Sequence, residues 1–172
     1  MKTSVFCATS LDGFLAREDG GMDWLPTECE PHGYTEFMAS VDAVVIGRKT
    51  FEWVQSYGQW VYDKPVVVLS STLKELTWPK GVACELMSAS PREVVDRLSE
   101  RGMKHLYVDG GVTIRRFLEA GFIDSMSITR IPILLGSGIP LFGRLPQDRR
   151  FRHVETKAFP SGLVNSVYVS AD

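Results

Sequence analysis

The sequence predicts a single α/β domain with a mostly parallel sheet and an antiparallel hairpin at its C-terminal end. Short apolar, β-prone runs alternate with helical stretches along most of the chain, which is the pattern of parallel strands joined by crossover helices. The last two strand candidates are separated only by the turn Pro160-Ser161-Gly162, and such a short connection joins antiparallel neighbours. At 172 residues the chain suits one hydrophobic core, so we expect one domain over residues 1–172.

The first half of the chain contains three strand candidates and two helix candidates. Residues 2–9 form a β-prone run that ends in turn residues at Ser10-Leu11-Asp12-Gly13. Residues 42–47 form a continuous apolar run stopped by glycine, and residues 64–71 have β-branched side chains at their centre. Both patterns are typical of strands buried on two faces. The two helices are expected around residues 34–40 and over residues 49–55.

The second half predicts two helices and four strands. Ser90-Pro91-Arg92-Glu93 has a serine cap, proline at the first helical position and an acidic first turn, which predicts a helix to about residue 101. Apolar residues at helical spacing predict a second helix over residues 112–120, and Gly121 ends it. The four strands are expected at residues 104–108, 125–133, 151–159 and 163–170.

Charge and hydropathy argue against nucleic-acid or lipid partners. The formal net charge is -2 and the sequence has no run of Lys or Arg, so there is no basic patch to bind phosphate-rich or anionic surfaces. No apolar stretch approaches the roughly 20 residues that a membrane-spanning helix needs, and no signal-type apolar run opens the sequence. We therefore expect a cytoplasmic protein that acts on a small-molecule substrate, with no nucleic acid and no membrane involved.

Neither a metal site nor a disulfide framework is indicated. The residues concerned are Cys7, Cys29, Cys84, His32, His105 and His153. The cysteines are odd in number and lack Cys-x-x-Cys spacing, which predicts free thiols. The histidines are isolated from one another, and no pair has the spacing that places two ligands on one helix face. No metal is expected.

Three predicted strands end in the same type of chemistry. The segments are Gly47-Arg48-Lys49-Thr50, Leu69-Ser70-Ser71 and Gly110-Gly111-Val112-Thr113. In an open α/β sheet, ligands bind beyond the carboxyl ends of the strands, where loops meet helix N-termini. Glycine lets the backbone approach a phosphate, helix starts offer free N–H groups, and basic side chains add positive charge. Together the segments predict an anionic nucleotide, although each alone is more often a turn or a solvated helix start.

No standard phosphate-binding fingerprint accompanies these segments. The sequence contains neither Gly-x-Gly-x-x-Gly nor Gly-x-x-x-x-Gly-Lys-Ser/Thr. A nucleotide-binding fold other than the Rossmann or P-loop type is therefore needed.

Six segments, in this order along the chain, carry a resemblance to known proteins. They are Ser10-Leu11-Asp12-Gly13-Phe14-Leu15-Ala16, Asp23-Trp24-Leu25, Ile46-Gly47-Arg48-Lys49-Thr50-Phe51-Glu52, Val68-Leu69-Ser70-Ser71, Val108-Asp109-Gly110-Gly111 and Pro132-Ile133-Leu134-Leu135-Gly136-Ser137-Gly138. The chain resembles dihydrofolate reductase and, more closely, the reductase domain of the bifunctional deaminase-reductase of riboflavin biosynthesis. The last segment is similar to stand-alone riboflavin-reductase-like proteins. True dihydrofolate reductases usually carry an acidic residue and a Thr-Phe-Phe-Pro-like segment there. The resemblance implies a dihydrofolate-reductase-like three-layer sandwich.

The resemblance also implies that the nucleotide is NADPH. The cofactor-binding residues that it implies are Ala8, Leu15, Gly47, Arg48, Lys49, Thr50, Leu69, Ser70, Ser71, Gly110, Gly111, Val112 and Thr113. Ala8 and Leu15 would contact the nicotinamide. Cations and hydroxyl groups would surround the ribose 2'-phosphate, where an acidic residue would instead favour NADH. The peptide between the two glycines would be strained, with a cis bond as one form of it.

The resemblance defines the substrate side less well. Dihydrofolate reductases place a buried carboxylate on the helix after a Trp-x-Leu-Pro motif, and Glu28 matches that position only if one residue is gapped. Asp12 and Glu36 are alternatives, and any of the three could be an ordinary solvated carboxylate. Asp12 would either face the cleft beside the nicotinamide or cap its own Asp-Gly turn. Asp12 and Glu28 are thus the catalytic candidates, and the substrate-binding candidates are Asp12, Trp24, Glu36 and Thr129.

The function that the resemblance implies is an NADPH-dependent oxidoreductase. Hydride would pass to a small heterocyclic or ribosylamino-pyrimidine substrate, as in the 5-amino-6-(5-phosphoribosylamino)uracil reductase step of riboflavin biosynthesis. Two alternatives stay open: dihydrofolate reductase itself, and a non-catalytic nucleotide-binding regulatory domain, because a fold alone does not fix function. Related reductase domains pair across sheet edges, which implies a homodimer; Trp53, Tyr57 and Trp60 would serve either such an interface or the local core.

Overall fold

The computed structural model describes residues 1–27, 30–78 and 81–171. Its elements in chain order are β1 (Lys2–Ser10), β2 (Phe14–Ala16), α1 (Tyr34–Ser40), β3 (Ala43–Gly47), α2 (Arg48–Ser56), β4 (Val66–Leu69), β5 (Cys84–Met87), α3 (Pro91–Glu100), β6 (His105–Asp109), α4 (Gly111–Glu119), β7 (Ser125–Ile131), β8 (Ile139–Pro140), β9 (Phe151–Ala158) and β10 (Val164–Ser170). Among the described residues, no helix has both the length and the apolar character needed to cross a bilayer.

The strands form one large sheet and one small ribbon. The sheet has eight strands in the order β5-β4-β3-β6-β1-β7-β10-β9, and β2 pairs with β8 in the ribbon. All neighbouring pairs from β5 to β7 are parallel, whereas β10 runs antiparallel to both β7 and β9. The predicted mostly parallel sheet with an antiparallel C-terminal hairpin is therefore confirmed.

Helices cover both faces of the parallel part of the sheet. Side chains alternate along each strand, so Val44 and Ile46 of β3 pack with α1 and α2 on one face, while Val45 packs with α3 and α4 on the other. These three side chains are fully buried. We call the first face the α1–α2 face. Two helical layers around one sheet confirm the three-layer sandwich.

The predicted elements agree with the structure except at short or half-exposed strands. Sequence patterns did not indicate β2, β5 or β8. The strands β2 and β8 are two or three residues long and exist because they pair with each other, and β5 lies at the sheet edge with little burial. The strand expected over residues 64–71 is shorter, so Ser70 and Ser71 lie in the turn after it. Local hydrophobic periodicity carries no signal for such segments.

The topology creates a crevice at the carboxyl ends of β3 and β6. These two strands are neighbours, yet α2 leaves β3 toward one face and α4 leaves β6 toward the other. A position where neighbouring crossovers diverge in this way is the usual ligand site of an open α/β sheet. It is the place at which the sequence predicts a nucleotide.

Candidate functional site

Two helices start side by side at this crevice. Gly47 is the N-cap of α2 and Gly110 is the N-cap of α4, and neither helix has a side-chain cap. The N–H groups of each first turn have no partner within their own helix. Two uncapped helix starts at one edge are a suitable environment for an anionic ligand.

A threonine from each helix lies against the cap glycine of the other helix. A Cβ atom at Gly47 would meet Thr113 Oγ1 at 2.8 Å, and a Cβ atom at Gly110 would clash with Thr50 Oγ1. Gly110 also has φ +87°, a value that residues with a Cβ rarely adopt. Glycine is therefore required at both caps, and the two helix starts can approach each other closely. We call these four residues the crossed cradle.

Gly111 connects the crossed cradle to the small ribbon. A Cβ atom at Gly111 would lie 3.0 Å from Leu15 Cδ1 and 3.6 Å from the carbonyl oxygen of Pro140, so Leu15 lies beside the start of α4, and its contact with a nicotinamide stays a prediction. The described residues contain no cis peptide bond. The cis form considered for Gly110–Gly111 is thus wrong, and the unusual geometry expected there is the positive φ of Gly110, which needs no cis bond.

Two cations lie beside the crossed cradle on the first turn of α2. Arg48 and Lys49 are both exposed, and Arg48 Nη1 lies 3.4 Å from Glu52 Oε1 one turn further along the helix. An exposed ion pair of this kind contributes little stability, so the guanidinium can exchange its partner for a phosphate at little cost. Val112, on the first turn of α4, is also largely exposed.

The end of β4 lies next to that of β3, because Leu69 pairs with Gly47. Ser70 Oγ accepts hydrogen bonds from Thr72 N at 3.2 Å and from Leu73 N at 3.0 Å, so its first role is to cap its own turn. Ser71 is exposed on the same turn. The structure therefore brings all three strand ends named from the sequence to one edge.

On the other side of the crevice, Ala8 of β1 pairs with Thr129 of β7. Thr129 is buried, and its Oγ1 accepts a hydrogen bond from Asn165 Nδ2 at 2.9 Å. Ala8 packs against a cluster that contains the buried Trp24 and Ile131. Trp24 Nε1 is buried and has no acceptor among the described residues. An unsatisfied buried donor next to a cleft is a candidate for hydrogen bonding to a ligand.

Asp12 holds two loops together. Its carboxylate accepts hydrogen bonds from Ser10 Oγ at 2.6 Å, from Gly136 N at 2.7 Å and from Leu135 N at 3.2 Å. The Ser10 bond, followed by the two backbone bonds, lowers the pKa of Asp12. Its carboxylate thus binds a distant loop in addition to its neighbour in the turn, and its catalytic role stays a prediction.

The other two carboxylate candidates give less information. Glu36 lies in the first turn of α1 and is exposed. Glu28 lies outside the described residues. Their roles also stay predictions.

The structure adds a carboxylate that sequence reasoning treated only as part of a turn. Asp109 ends β6 and lies two residues after Tyr107, so both side chains project toward the α1–α2 face. Asp109 Oδ1 accepts a hydrogen bond from Gly110 N at 2.7 Å, and Oδ2 accepts one from Tyr62 Oη at 2.9 Å. The available signal was an acidic residue at the carboxyl end of a buried strand, directly before the Gly-Gly pair.

The environment of Asp109 favours its neutral form. Burial raises the pKa of Asp109, and the hydrogen bonds from Tyr62 and Gly110 oppose that rise without cancelling it. A carboxyl group with a raised pKa at a cleft is a typical proton donor. Phe6 and Ala8 of β1 share the α1–α2 face, since Phe6 belongs to that cluster and Ala8 follows it by two residues. Asp109 therefore lies on the same face as the predicted nicotinamide contact.

The comparison with known families agrees with this architecture. Residues 2–165 match the RibD C-terminal domain family. The chain belongs to the RibD C-terminal domain family. The uncharacterised protein YwjB of Bacillus subtilis (strain 168) is 35% identical over 166 residues, which cover 92% of each chain.

Solved structures support the same membership and the same fold. A protein of Shewanella sp. PV-4, provisionally named a riboflavin biosynthesis protein, is 38% identical with a TM-score of 0.93, and each chain is covered completely. Dihydrofolate reductase from Enterococcus faecalis, complexed with NADP(H), is 17% identical with a TM-score of 0.68, covering 99% of this chain and 97% of the other. This second likeness shows that the RibD C-terminal domain shares the dihydrofolate-reductase-like fold.

The chemical groups at this site of the RibD C-terminal domain are backbone N–H groups, hydroxyls and one partly buried carboxyl group. Within residues 1–27, 30–78 and 81–171, no three His, Cys, Asp or Glu side chains are grouped so that they could hold a metal ion. The arrangement can bind a phosphorylated ligand and place a proton donor beside it.

The crossed cradle predicts a specific coupling between Gly47 and Thr113. Gly47→Ala should lower the free energy of unfolding by about 1–3 kcal/mol, because the new methyl group overlaps Thr113 Oγ1. In a Thr113→Ala background the same substitution should be much less destabilising, since the obstructing hydroxyl is gone. Urea denaturation of the four proteins in the double-mutant cycle measures the coupling. An equal effect of Gly47→Ala in both backgrounds would contradict the contact.

The hydrogen bonds that Asp12 accepts predict that the stability difference between wild type and Asp12→Asn depends on pH. A lowered folded-state pKa means that Asp12 stabilises the fold above its unfolded-state pKa, and that this stabilisation is lost as the pH falls through the folded-state pKa. Asp12→Asn should therefore melt below wild type at pH 7, and the two melting temperatures should converge in acid. Asp19→Asn, which changes a carboxylate that caps its own loop at Gly21 N, is the matched control. A constant difference across the pH range would show that charge is not involved.

Proposed function

We propose that this RibD C-terminal domain protein is an NADPH-dependent reductase that transfers hydride to a C=N group of a ribosylamino-pyrimidine, as in riboflavin biosynthesis. The observation that carries the proposal is the crossed cradle, which keeps two uncapped helix starts at one crevice. One helix start is a common feature, whereas two that require glycine at both caps suit a ligand with two linked phosphates.

The chain's residues fit NADPH at each part of the predicted site. The N–H groups at the starts of α2 and α4 would bind the pyrophosphate, and Arg48 with Lys49 and Ser71 would bind the ribose 2'-phosphate. Leu15 and Ala8 would contact the nicotinamide, which supplies the hydride when the cofactor is bound. No acidic side chain precedes Arg48 at the end of β3, where a carboxylate would repel the 2'-phosphate.

The opposite side of the crevice offers groups for a heterocyclic substrate. The indole N–H of Trp24 is a buried donor without an acceptor among the described residues, and a ring carbonyl oxygen would satisfy it. Thr129 lies on β7, next to Ala8 of β1, and its hydroxyl is held by a hydrogen bond from Asn165. This side of the crevice therefore has a polar group in a fixed position. A pyrimidine with carbonyl acceptors matches these donors.

Asp109 is the proton donor in the proposed reaction. When the carbon of a C=N group accepts hydride, the nitrogen must accept a proton so that a neutral amine forms. Burial raises the pKa of Asp109, which shifts the group toward the protonated acid, and its place on the α1–α2 face aims it at the same cleft as Ala8. The carboxylate left after transfer retains the hydrogen bonds from Tyr62 and Gly110, and solvent would reprotonate it between turnovers.

The comparisons support the reductase class more than the substrate. A bifunctional protein from Thermotoga maritima, named as a diaminohydroxyphosphoribosylaminopyrimidine deaminase and 5-amino-6-(5-phosphoribosylamino)uracil reductase, is 16% identical with a TM-score of 0.73, and only 56% of its chain is covered. That likeness shows a shared fold. The ribosylamino-pyrimidine substrate, the preference for NADPH, a cytoplasmic location and a homodimer are proposals for this chain.

Cofactor preference tests the proposed function. Wild type should oxidise NADPH in preference to NADH with the ribosylamino-pyrimidine phosphate as acceptor. Arg48→Ala should raise the KM for NADPH about 10- to 100-fold, the loss expected when a charge-assisted bond to a phosphate is removed, and should change the KM for NADH little. Steady-state kinetics at fixed ionic strength measures both constants.

Arg97→Ala is the control for this experiment, because Arg97 also forms an exposed ion pair one helical turn from a glutamate but lies on α3. Equal weakening of NADPH and NADH by Arg48→Ala would contradict the assigned 2'-phosphate site. Wild-type protein that binds NADPH by fluorescence titration but oxidises it with neither this acceptor nor dihydrofolate would support the non-catalytic reading instead.

A further inference from the structure

We propose that Tyr62 is a positioning residue for the proton donor: its hydroxyl group fixes the carboxyl group of Asp109 from a loop outside the strand ends that form the site. The proposal rests on the proposed function of Asp109. It concerns a side chain that belongs to the loop between α2 and β4, where the sequence has no motif. The loop is far along the chain from Asp109, so only the folded structure brings the two groups together.

The geometry around Asp109 leaves little freedom for its carboxyl group. The backbone N–H of Gly110 holds one oxygen at 2.7 Å, and the hydroxyl of Tyr62 holds the other at 2.9 Å. The first bond is local and comes with the turn. The second comes from 47 residues away in sequence, so it is the bond that sets the orientation of the carboxyl group relative to the cleft.

Tyr62 is itself held in place by packing. It is 8% exposed, and its ring contacts Trp60 edge-on with ring centroids 6.0 Å apart. Trp60 in turn contacts Phe51 of α2. The ring that carries the hydroxyl is therefore packed in a series of aromatic contacts that starts on α2.

Two tyrosine hydroxyls lower the pKa of Asp109, and the effect of Tyr62 is larger than that of Tyr107. Tyr107 lies on the same strand as Asp109, but its hydroxyl donates to the carbonyl oxygen of Phe6 at 2.8 Å. The charge of Asp109 raises the pKa of Tyr34 on α1, and Tyr34 in turn raises the pKa of Tyr62. A hydroxyl has one proton to donate, so the bonds of Tyr107 and Tyr62 have separate acceptors.

The titratable groups that face Asp109 keep a constant charge while Asp109 titrates. They are Tyr62 from the α2–β4 loop, Tyr34 from α1, Tyr107 from β6 and Cys7 from β1. The charge of Asp63 also raises the pKa of Tyr34. Burial, followed by the charge of Asp109, raises the pKa of each of the four, that of Tyr34 to about 12. Tyr62 therefore remains a donor throughout the working pH range.

Removing the hydroxyl group of Tyr62 should change the pKa of Asp109 in a defined direction. The bond from Tyr62 stabilises the ionised form of Asp109 and so lowers its pKa against the larger effect of burial. Tyr62→Phe should move the titration of Asp109 to higher pH. Because activity requires protonated Asp109, the alkaline limb of the kcat profile should move to higher pH as well, while kcat on the acid side falls about tenfold through lost orientation. The KM for NADPH should not change.

The experiment combines kinetics with 13C NMR of the carboxyl groups in the ligand-free protein. The resonance of Asp109 is identified by its absence in Asp109→Asn. Tyr57→Phe is the matched control, since Tyr57 is an exposed tyrosine stacked on Trp53, and it should change neither the resonance nor the pH profile. If Asp109 titrates at the same pH in Tyr62→Phe as in wild type, the positioning role is refuted.

The NMR test of Tyr62 can fail independently of the activity test of the proposed function. Full activity in Asp109→Asn would refute the proton-donor assignment whatever the NMR result, whereas the NMR titration needs no turnover. If Tyr62→Phe does not fold, the same question can be tested in wild type through the 13C resonance of the Tyr62 ring carbon that carries the hydroxyl group. Its resonance should shift with the same apparent pKa as Asp109, and a resonance that does not respond would overturn the proposal.

Discussion

The approach of α2 to α4 at the ends of β3 and β6 constrains most of the site. Each helix begins at a glycine, and each glycine faces a threonine hydroxyl of the other helix. A side chain at either cap would force the helices apart, because the interior is packed too densely to absorb a methyl group without a shift. The same contact keeps the first-turn N–H groups of both helices at a single crevice, where their partial charges add.

The positions of the chemical groups follow from that arrangement. With α2 on one face and α4 on the other, β6 lies between β3 and β1 in the sheet, and its last residue, Asp109, is directed toward the α1–α2 face. The aromatic residues after α2 cover this position and bring Tyr62 against Asp109. A partly buried carboxyl group flanked by tyrosines is unfavourable for stability when ionised, and such a local penalty is typical of functional sites.

Much of the fold could be predicted from the sequence because its signals are local. The buried runs of β3, β4 and β6 and the capping box at Ser90 each specify their element without help from distant residues. The strands β2 and β8 could not be predicted, because they depend on pairing across more than a hundred residues. The edge strand β5 is only four residues long and mostly half-buried, so its hydrophobic pattern is weak.

The site shows the same division between local and distant information. The glycines and hydroxyls at strand ends identified the edge of the sheet, since the parallel topology alone brings those ends together. The bonds of Asp12 to Leu135 and Gly136, and of Asp109 to Tyr62, join residues far apart in sequence. No spacing rule encodes such contacts, and a resemblance to a family transfers only the residues that match its motifs.

The most direct test of the two-helix phosphate site is a titration of 15N-labelled protein with NADPH, followed through the backbone amide resonances. If both helix starts bind the cofactor, the amides of residues 48–50 and 111–113 should shift together, with one apparent Kd, at the lowest cofactor concentrations. Shifts at only one helix start would contradict the shared crevice. Shifts confined to residues around Lys2 and His105, at the amino ends of β1 and β6, would contradict the site itself.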